Sequence, residues 1–265
     1  MRLSRDIVWG TFLVAVLALV GCGVGERVDM NSGFVNEDRA DRGLVVILPG
    51  IEGQSTANMD IRQGLRDGGI PYALAIYRWG SGSMLVNQTD VSGNRRKAEE
   101  LAGRIATYQQ RHTNRPIFLI GHSGGGGIAV FALEALAQIP GAKPVDGVFL
   151  LSASISANYD LSYALRMTQR GLANVSNEED EILRGTAIFG NMDGGKGDSA
   201  GRTGFAGQYA NVYERPITAD EVRRDVGEVN IAHFVATSDK LIAKYAPAWI
   251  LSKTWPPPRR FPSNN

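Results

Sequence analysis

The sequence predicts an α/β fold in which a mostly parallel sheet carries helices on both of its faces. Short runs of consecutive apolar residues alternate along the chain with longer segments of helical periodicity. The runs are apolar at successive positions, which is typical of strands buried on both faces of a parallel sheet. Repeated strand and helix units of this length indicate parallel strands joined by crossover helices.

The first elements are delimited by glycine and proline. Residues 44–48 form an apolar run that ends at Pro49-Gly50, and we expect this run to be the first strand. Residues 58–67 follow as a helix, which ends at Gly68-Gly69, and residues 72–79 are predicted to be the second strand.

The next elements continue the same alternation. Residues 95–111 are predicted to be helical because their apolar residues recur at helical spacing and would line one face. Further strands and helices are expected, with strands at 117–120, 148–152 and 172–175 and helices at 128–138, 160–169 and 240–249. The segment between the last two of these strands is short enough to hold one helix, so no cap domain is predicted.

A serine lies at the junction of a predicted strand and a predicted helix, in Gly121-His122-Ser123-Gly124-Gly125. A strand that ends in G-x-S-x-G and turns directly into a helix is typical of a nucleophile elbow, a sharp turn that exposes the serine hydroxyl. Glycine is favoured beside such a serine because the turn needs backbone angles that glycine reaches at low cost. Ser123 is therefore the predicted catalytic nucleophile, and the alternative is a glycine-rich turn with an incidental serine.

With these motifs the chain resembles the α/β-hydrolases, the superfamily of serine esterases and lipases, over residues 44–251 approximately. Segments 48–53 and 121–125 carry the resemblance most strongly. The resemblance implies an acyl-serine mechanism that uses no cofactor and no metal. It also implies an oxyanion hole made by the backbone N–H groups of Ile51 and Gly124. The alternative interpretation of segment 48–53 is that it simply marks the end of a strand.

A serine hydroxyl is a weak nucleophile until a base takes its proton. The sequence contains three histidines, and the family order of serine, acid and histidine selects His233, because it alone follows Ser123. His233 comes after a strand-like run at 229–232 and before a predicted helix. His122 lies beside the nucleophile, and His112 lies in a polar loop that precedes it. A histidine buried in the core is the alternative interpretation of His233.

The resemblance places the acid in the loop after the predicted strand 172–175, where the sequence is Ser-Asn-Glu-Glu-Asp at 176–180. Asp180 is the predicted acid. It precedes the apolar pair Ile182-Leu183, so its carboxylate could be buried against His233 and orient the imidazole.

Other acidic residues remain open as alternatives. Glu178 and Glu179 are interpreted as a solvated charge run. Asp193 is the main alternative and would be favoured if residues 186–189 formed the strand, and Asp198 is a further candidate.

A glycine-rich segment at 190–207 is predicted to be a mobile loop near the site. It includes two aspartates, but one irregular copy lacks the repeated period and the number of oxygen ligands that calcium-binding repeats provide. No metal site is therefore predicted.

The N-terminal residues predict export. Two arginines precede the apolar run 12–20, which is too short to span a bilayer and is typical of a secretory signal. The run ends in Leu-Val-Gly-Cys at 19–22, which resembles the lipobox of bacterial lipoproteins. Cys22, the only cysteine, is thus predicted to carry a lipid anchor on the cell envelope, at the outer membrane in a Gram-negative bacterium. An ordinary cleaved signal or a short uncleaved anchor is the alternative.

These expectations divide the chain into a lipoprotein signal peptide at 1–21, a tether at 22–42, an α/β-hydrolase domain at 43–252 and a Pro-rich tail at 253–265. The formal net charge is +1, and no basic stripe is present, which argues against a nucleic-acid partner. The expected partners are a small-molecule or lipid ester substrate and a membrane that holds the lipid anchor.

The leading functional hypothesis is a carboxyl-ester hydrolase. Thioesterases, amidases, peptidases and acyltransferases use the same machinery, and the sequence leaves these subclasses open. The alternative from another class is a catalytically inactive hydrolase-fold lipoprotein that serves as a binding or envelope protein.

Overall fold

The computed structural model describes residues 33–53, 55–227 and 232–257. The predicted signal peptide, Cys22, most of the predicted tether, residues 229–231 of the strand-like run and the end of the predicted tail lie outside the described residues. Within the described ranges, no helix combines the length and the apolar character needed to span a bilayer.

A six-stranded sheet forms the centre of the domain, with the order β2-β1-β3-β4-β5-β6. Its strands are β1 Leu44–Leu48, β2 Ala73–Ile76, β3 Ile117–His122, β4 Gly147–Leu151, β5 Leu172–Ser176 and β6 Val212–Pro216. Every neighbouring pair is parallel. The predicted fold class is therefore confirmed, and the carboxyl ends of all six strands lie along one edge of the sheet.

Eleven α-helices and one 3₁₀ helix occur in the described residues. The α-helices are α1 Glu37–Ala40, α2 Thr56–Asp67, α3 Met84–Thr89, α4 Val91–Arg111, α5 Gly124–Leu136, α6 Ser162–Leu165, α7 Glu181–Arg184, α8 Thr186–Phe189, α9 Ala200–Thr203, α10 Ala219–Asp225 and α11 Asp239–Ile250. The 3₁₀ helix is Ala232–Thr237. No separate cap domain is present among the described elements.

The sheet is covered on both faces. Helices α4 and α5 contribute their buried apolar residues to one core together with alternate residues of β1, β3 and β4. Helices α2 and α11 pack against each other on the opposite face, where a Cβ placed on Gly64 would lie 2.7 Å from Cβ of Ile242. Successive residues of the central strands are therefore buried, as in Ile117–Ile120 of β3, which is why these strands read as unbroken apolar runs.

Several elements differ from the prediction. The helix expected at 160–169 is limited to the four residues of α6. Strand β6 and helices α3 and α10 were not predicted. Strand β6 lies at the edge of the sheet and contains Glu214 and Arg215, so it lacks the apolar run of a central strand. Helix α10 begins at Thr218, whose side chain accepts a hydrogen bond from Glu221 N.

Contacts of the domain extend beyond the predicted limits at 43 and 252. Phe34 O accepts a hydrogen bond of 3.0 Å from Leu74 N. The guanidinium group of Arg39 donates to the Tyr72 carbonyl at 2.8 Å. On the C-terminal side, Trp255 is buried, and its ring packs among the aromatic rings of Phe118, Phe149, Tyr213 and Trp249.

Candidate active site

Ser123 stands at the junction of β3 and α5 in a strained backbone conformation. Its φ of 51° and ψ of −121° lie in a region that costs a non-glycine residue about 1–3 kcal/mol. Hydrogen bonds maintain this conformation. Ser123 N donates to Leu151 O at 3.0 Å, and Ser123 O accepts from Gly126 N at 3.0 Å and from Ser154 N at 2.9 Å. The turn is thus anchored to β4 and to the loop that follows it.

The glycines of this turn allow the main chain of the elbow to lie directly against β1. A Cβ on Gly125 would collide with the carbonyl oxygens of Leu48 and Pro49, and a Cβ on Gly121 would lie 2.5 Å from Gly125 O. A larger residue at Gly125 would push the serine turn away from the end of β1, and one at Gly121 would push β3 away from the first turn of α5.

The two N–H groups predicted for the oxyanion hole lie close together. A Cβ on Gly124 would be 2.7 Å from Ile51 Cγ2 and 3.4 Å from Ile51 N. Within the part of the chain that the structure describes, neither N–H donates a hydrogen bond to a backbone or side-chain acceptor. Both therefore remain available to a ligand, and their role in an oxyanion hole stays a prediction.

Two side chains that the sequence analysis did not single out as positioning groups hold the loop that contains Ile51. Trp79 Nε1 donates to Pro49 O at 2.8 Å, and Asn87 Nδ2 donates to Ile51 O at 2.8 Å. Both side chains are buried. Neither is part of a motif, so only the folded chain reveals these contacts.

His233 and Asp180 form a buried pair. The distance from His233 Nδ1 to Asp180 Oδ2 is 2.7 Å, and a carboxylate oxygen accepts, so Nδ1 carries the proton. The other oxygen, Asp180 Oδ1, accepts from Leu183 N at 2.9 Å, because Asp180 is the N-cap of α7. With the proton on Nδ1, the Nε2 atom of a neutral His233 has a free lone pair that can accept a proton.

The alternative acids are engaged elsewhere. Residues 186–189 form helix α8, so the condition that would have favoured Asp193 is absent. Asp193 instead accepts hydrogen bonds from Ser156 N at 2.9 Å and Ser156 Oγ at 2.7 Å. Asp198 bonds with Arg202 at 2.8 Å. Of the candidate acids, the structure brings Asp180 to His233.

Asn177 links the acid loop to the histidine loop, and it was not predicted to have a role. Its Nδ2 donates to Ala232 O at 3.1 Å, while its backbone carbonyl accepts from Asp180 N at 3.1 Å. The side chain of this buried residue thereby contacts the residue before His233, and its backbone contacts the acid.

The glycine-rich segment 190–207, predicted to be a mobile loop near the site, packs against the elbow at Met192. Met192 is fully buried, and its backbone N donates to Ser154 O at 3.0 Å. A Cβ on Gly127 would lie 2.7 Å from Met192 Cβ. Gln88 Nε2 donates to Gly190 O at 2.8 Å.

Potential metal ligands cluster away from these residues. In the described ranges, one group of acidic and histidine side chains brings its ligand atoms within 4.8 Å of one another: Glu37, Asp41 and His112. The two acids are exposed, and none of the three is a predicted catalytic residue.

A comparison with models of protein families gives a match over more than half of the chain. The family model described as serine aminopeptidase, S33 (Hydrolase_4) matches residues 39–179. No curated protein matches the sequence.

Solved structures match with low identity. Aspergillus fumigatus lipase B is 14% identical with a TM-score of 0.46, and the alignment covers 78% of this chain and 52% of the lipase. A Xanthomonas campestris protein described as an a/b serine hydrolase without lid is 13% identical with a TM-score of 0.48, covering 82% and 87% of the two chains. A putative cell surface hydrolase from Lactobacillus plantarum is 15% identical with a TM-score of 0.46, covering 81% and 94%. The chain thus spans about half the length of the lipase.

Proposed function

Because the chain belongs to the α/β-hydrolase family described as serine aminopeptidase, S33, we propose that it is a serine hydrolase that cleaves carboxyl esters through an acyl-serine intermediate. The observation that supports this most directly is the buried hydrogen bond of 2.7 Å between His233 and Asp180. The strained backbone of Ser123 also supports it, because a nucleophile elbow exposes the serine hydroxyl that such a pair would activate.

In the proposed first step, His233 Nε2 accepts the hydroxyl proton of Ser123 as Oγ attacks the ester carbonyl. Asp180 remains ionised and stabilises the imidazolium through its bond to Nδ1. The imidazolium then gives its proton to the departing alkoxide, which leaves an acyl group on Ser123. Water, deprotonated by His233, releases the acid and restores the serine hydroxyl.

The negative charge that develops on the carbonyl oxygen requires donors that are already oriented. Ile51 and Gly124 are proposed for this role, because their N–H groups are adjacent and open to a ligand. Their fixed orientation avoids reorganisation during the reaction, and loss of one such donor typically costs about 10²–10³ in kcat.

Amide cleavage is a second candidate, favoured by the description of the matching family model as a serine aminopeptidase. The same groups would act, but the leaving amine must receive the proton from His233 before it departs. Ester and amide substrates with the same acyl group therefore distinguish the two activities.

The test is hydrolysis of p-nitrophenyl esters from acetate to palmitate, alongside aminoacyl p-nitroanilides. The variants Ser123→Ala and His233→Ala are measured beside the parent protein. Ester turnover that both variants lose supports the proposal, whereas faster anilide cleavage would favour the peptidase. Absence of turnover together with absence of fluorophosphonate labelling of Ser123 would support the inactive binding protein.

We also propose that the protein is exported and anchored by lipid on Cys22, on the basis of the N-terminal sequence. Detergent-phase partitioning of the parent and of Cys22→Ser tests this part. Unchanged partitioning of the variant would contradict the anchor without affecting the catalytic proposal.

A further inference from the structure

His122 contacts the histidine loop from inside the domain. Its ring is fully buried, and its Nε2 lies 3.3 Å from the backbone carbonyl oxygen of His233. The ring centroids of His122 and His233 are 4.8 Å apart, and Phe234 packs on the same ring at 5.3 Å. The side chain of the residue just before the nucleophile therefore touches the predicted base.

The direction of this hydrogen bond follows from its chemistry. A carbonyl oxygen only accepts, so the proton must lie on His122 Nε2. Burial, followed in importance by the nearby His233, holds the pKa of the His122 imidazole well below its usual value. The ring is therefore neutral and carries its single proton on Nε2, facing His233 O.

The other nitrogen of His122 faces Glu52. Nδ1 has no hydrogen-bond partner among the described residues, and the nearest carboxylate oxygen, Glu52 Oε1, lies 4.0 Å away. That oxygen accepts from Ser55 Oγ at 2.9 Å. Burial raises the pKa of the Glu52 carboxyl. The side chain of Glu52, which belongs to the same loop as Ile51, thus faces His122.

We propose that His122 is a positioning residue, which fixes the backbone of His233 and so sets how far the imidazole of His233 stands from Ser123. This inference rests on the proposed function, since it assigns a role within the same site. His122 and Ser123 are consecutive residues, so the bond to His233 O places the base relative to the nucleophile itself. The contact of Asp180 with Nδ1 fixes the rotation of the imidazole, and the contact of His122 fixes the backbone that carries it.

A pair of variants separates hydrogen bonding from packing. His122→Gln places an amide N–H close to the position of Nε2, whereas His122→Leu fills similar space without a donor. We expect His122→Leu to lower kcat/KM for the ester, and the rate of fluorophosphonate labelling, by about tenfold or more. His122→Gln should remain within about threefold of the parent. His112→Gln, which changes the histidine at the C-terminal end of α4, is the matched control.

A spectroscopic measurement tests the same proposal without relying on turnover. The His233 Nδ1 proton, bonded to a carboxylate at 2.7 Å, should give a low-field proton resonance, assigned by its loss in His233→Ala. In His122→Leu this resonance should shift or broaden, while in His122→Gln it should stay near its position in the parent. Thermal melting of each variant identifies any general loss of folding.

The outcomes are distinct. The proposal is overturned if His122→Leu leaves both the reaction rates and the resonance unchanged, or if His122→Gln is impaired as severely as His122→Leu. If the parent protein neither turns over ester nor reacts with fluorophosphonate, the proposed function fails. In that case the positioning role of His122 is supported or overturned by the resonance only, through its response to the two His122 variants.

Discussion

The nucleophile turn and the histidine loop are held in place by different kinds of contact. The turn at Ser123 is held by main-chain hydrogen bonds and by glycines that meet neighbouring backbone. The loop at His233 is held by side chains from two other parts of the chain, namely Asp180 and Asn177 of the acid loop and His122 beside the nucleophile. The turn is built from consecutive residues, while the loop depends on residues that are distant in sequence.

This difference determines what a substitution can do. In the glycine-lined turn, an added methyl group has no space, so substitution should affect folding before it affects chemistry. In the histidine loop, removal of one side chain leaves the backbone intact, so catalysis should decrease more than stability. The following predictions test that contrast.

The largest expected effect is at the acid. Asp180→Asn should lower kcat by about 10⁴-fold, because an amide at this position favours the wrong tautomer of His233. Asp193→Asn is the control and should stay within about threefold of the parent. Steady-state kinetics on the best ester measure both variants. Equal losses, or a greater loss in Asp193→Asn, would refute the assignment of the acid.

The next largest effect is on stability. Gly125→Ala should lower the free energy of unfolding by ~3 kcal/mol, because the methyl group meets the carbonyl oxygens of Leu48 and Pro49. Gly103 lies in helix α4 with open space around it, so Gly103→Ala should instead stabilise the protein by about 0.5–1 kcal/mol. Denaturant unfolding measures both. A Gly125→Ala protein as stable as the parent would show that the turn tolerates a Cβ.

A smaller effect is expected at the link between the two loops. Asn177→Ala should lower kcat by about tenfold, with a loss of stability of about 1 kcal/mol. Asn177→Asp retains an acceptor but loses the amide N–H that donates to Ala232 O, so it should be impaired to a similar degree. Kinetics and thermal melting compare the two. If Asn177→Asp retains full activity, the donated hydrogen bond is not what positions the loop.

The smallest expected effect is a change in how the stability of the protein depends on pH. Since the pKa of Glu52 is raised by burial, the folded protein binds this proton more tightly than the unfolded chain does. Stability therefore decreases as pH rises from the unfolded pKa, about 4.3, to the folded pKa. Glu52→Gln removes this decrease, so its Tm relative to the parent should rise by about 3 °C between pH 4.5 and pH 8.

Exposed Glu99 on α4 provides the matched substitution, Glu99→Gln, for which the Tm difference from the parent should not change with pH. A Glu52→Gln protein whose Tm difference is also constant would show that burial of this carboxyl has no energetic consequence.

Much of the fold could be predicted from the sequence, because strands buried on both faces leave unbroken apolar runs. The five predicted strands correspond to β1–β5, although the second is shorter than expected. Edge strand β6 has one exposed side and charged residues such as Arg215, so it lacks that pattern. The helix at 160–169 was overestimated because helical propensity there does not reveal how the chain packs between β4 and β5.

Residues of the site could be predicted from the sequence only where a short motif or their order along the chain identifies them. The serine turn is specified by five consecutive residues, and the order of the catalytic residues pointed to His233. Asp180 was chosen by its position after a strand, and the structure brings it to His233. The roles of Trp79, Asn87 and Asn177 could not be predicted, because each donates to a backbone carbonyl that folding brings near.

The positions of the two ends of the domain have a practical consequence for attaching the protein to a support. Residues near Phe34 and Arg39 contact the amino end of β2, and Trp255 packs where β3 and β4 begin, next to Gly147. Ser123 lies at the other end of the strands, directly after the carboxyl end of β3. A protein immobilised through a handle joined at either flank should therefore present the side that carries Ser123 away from the support.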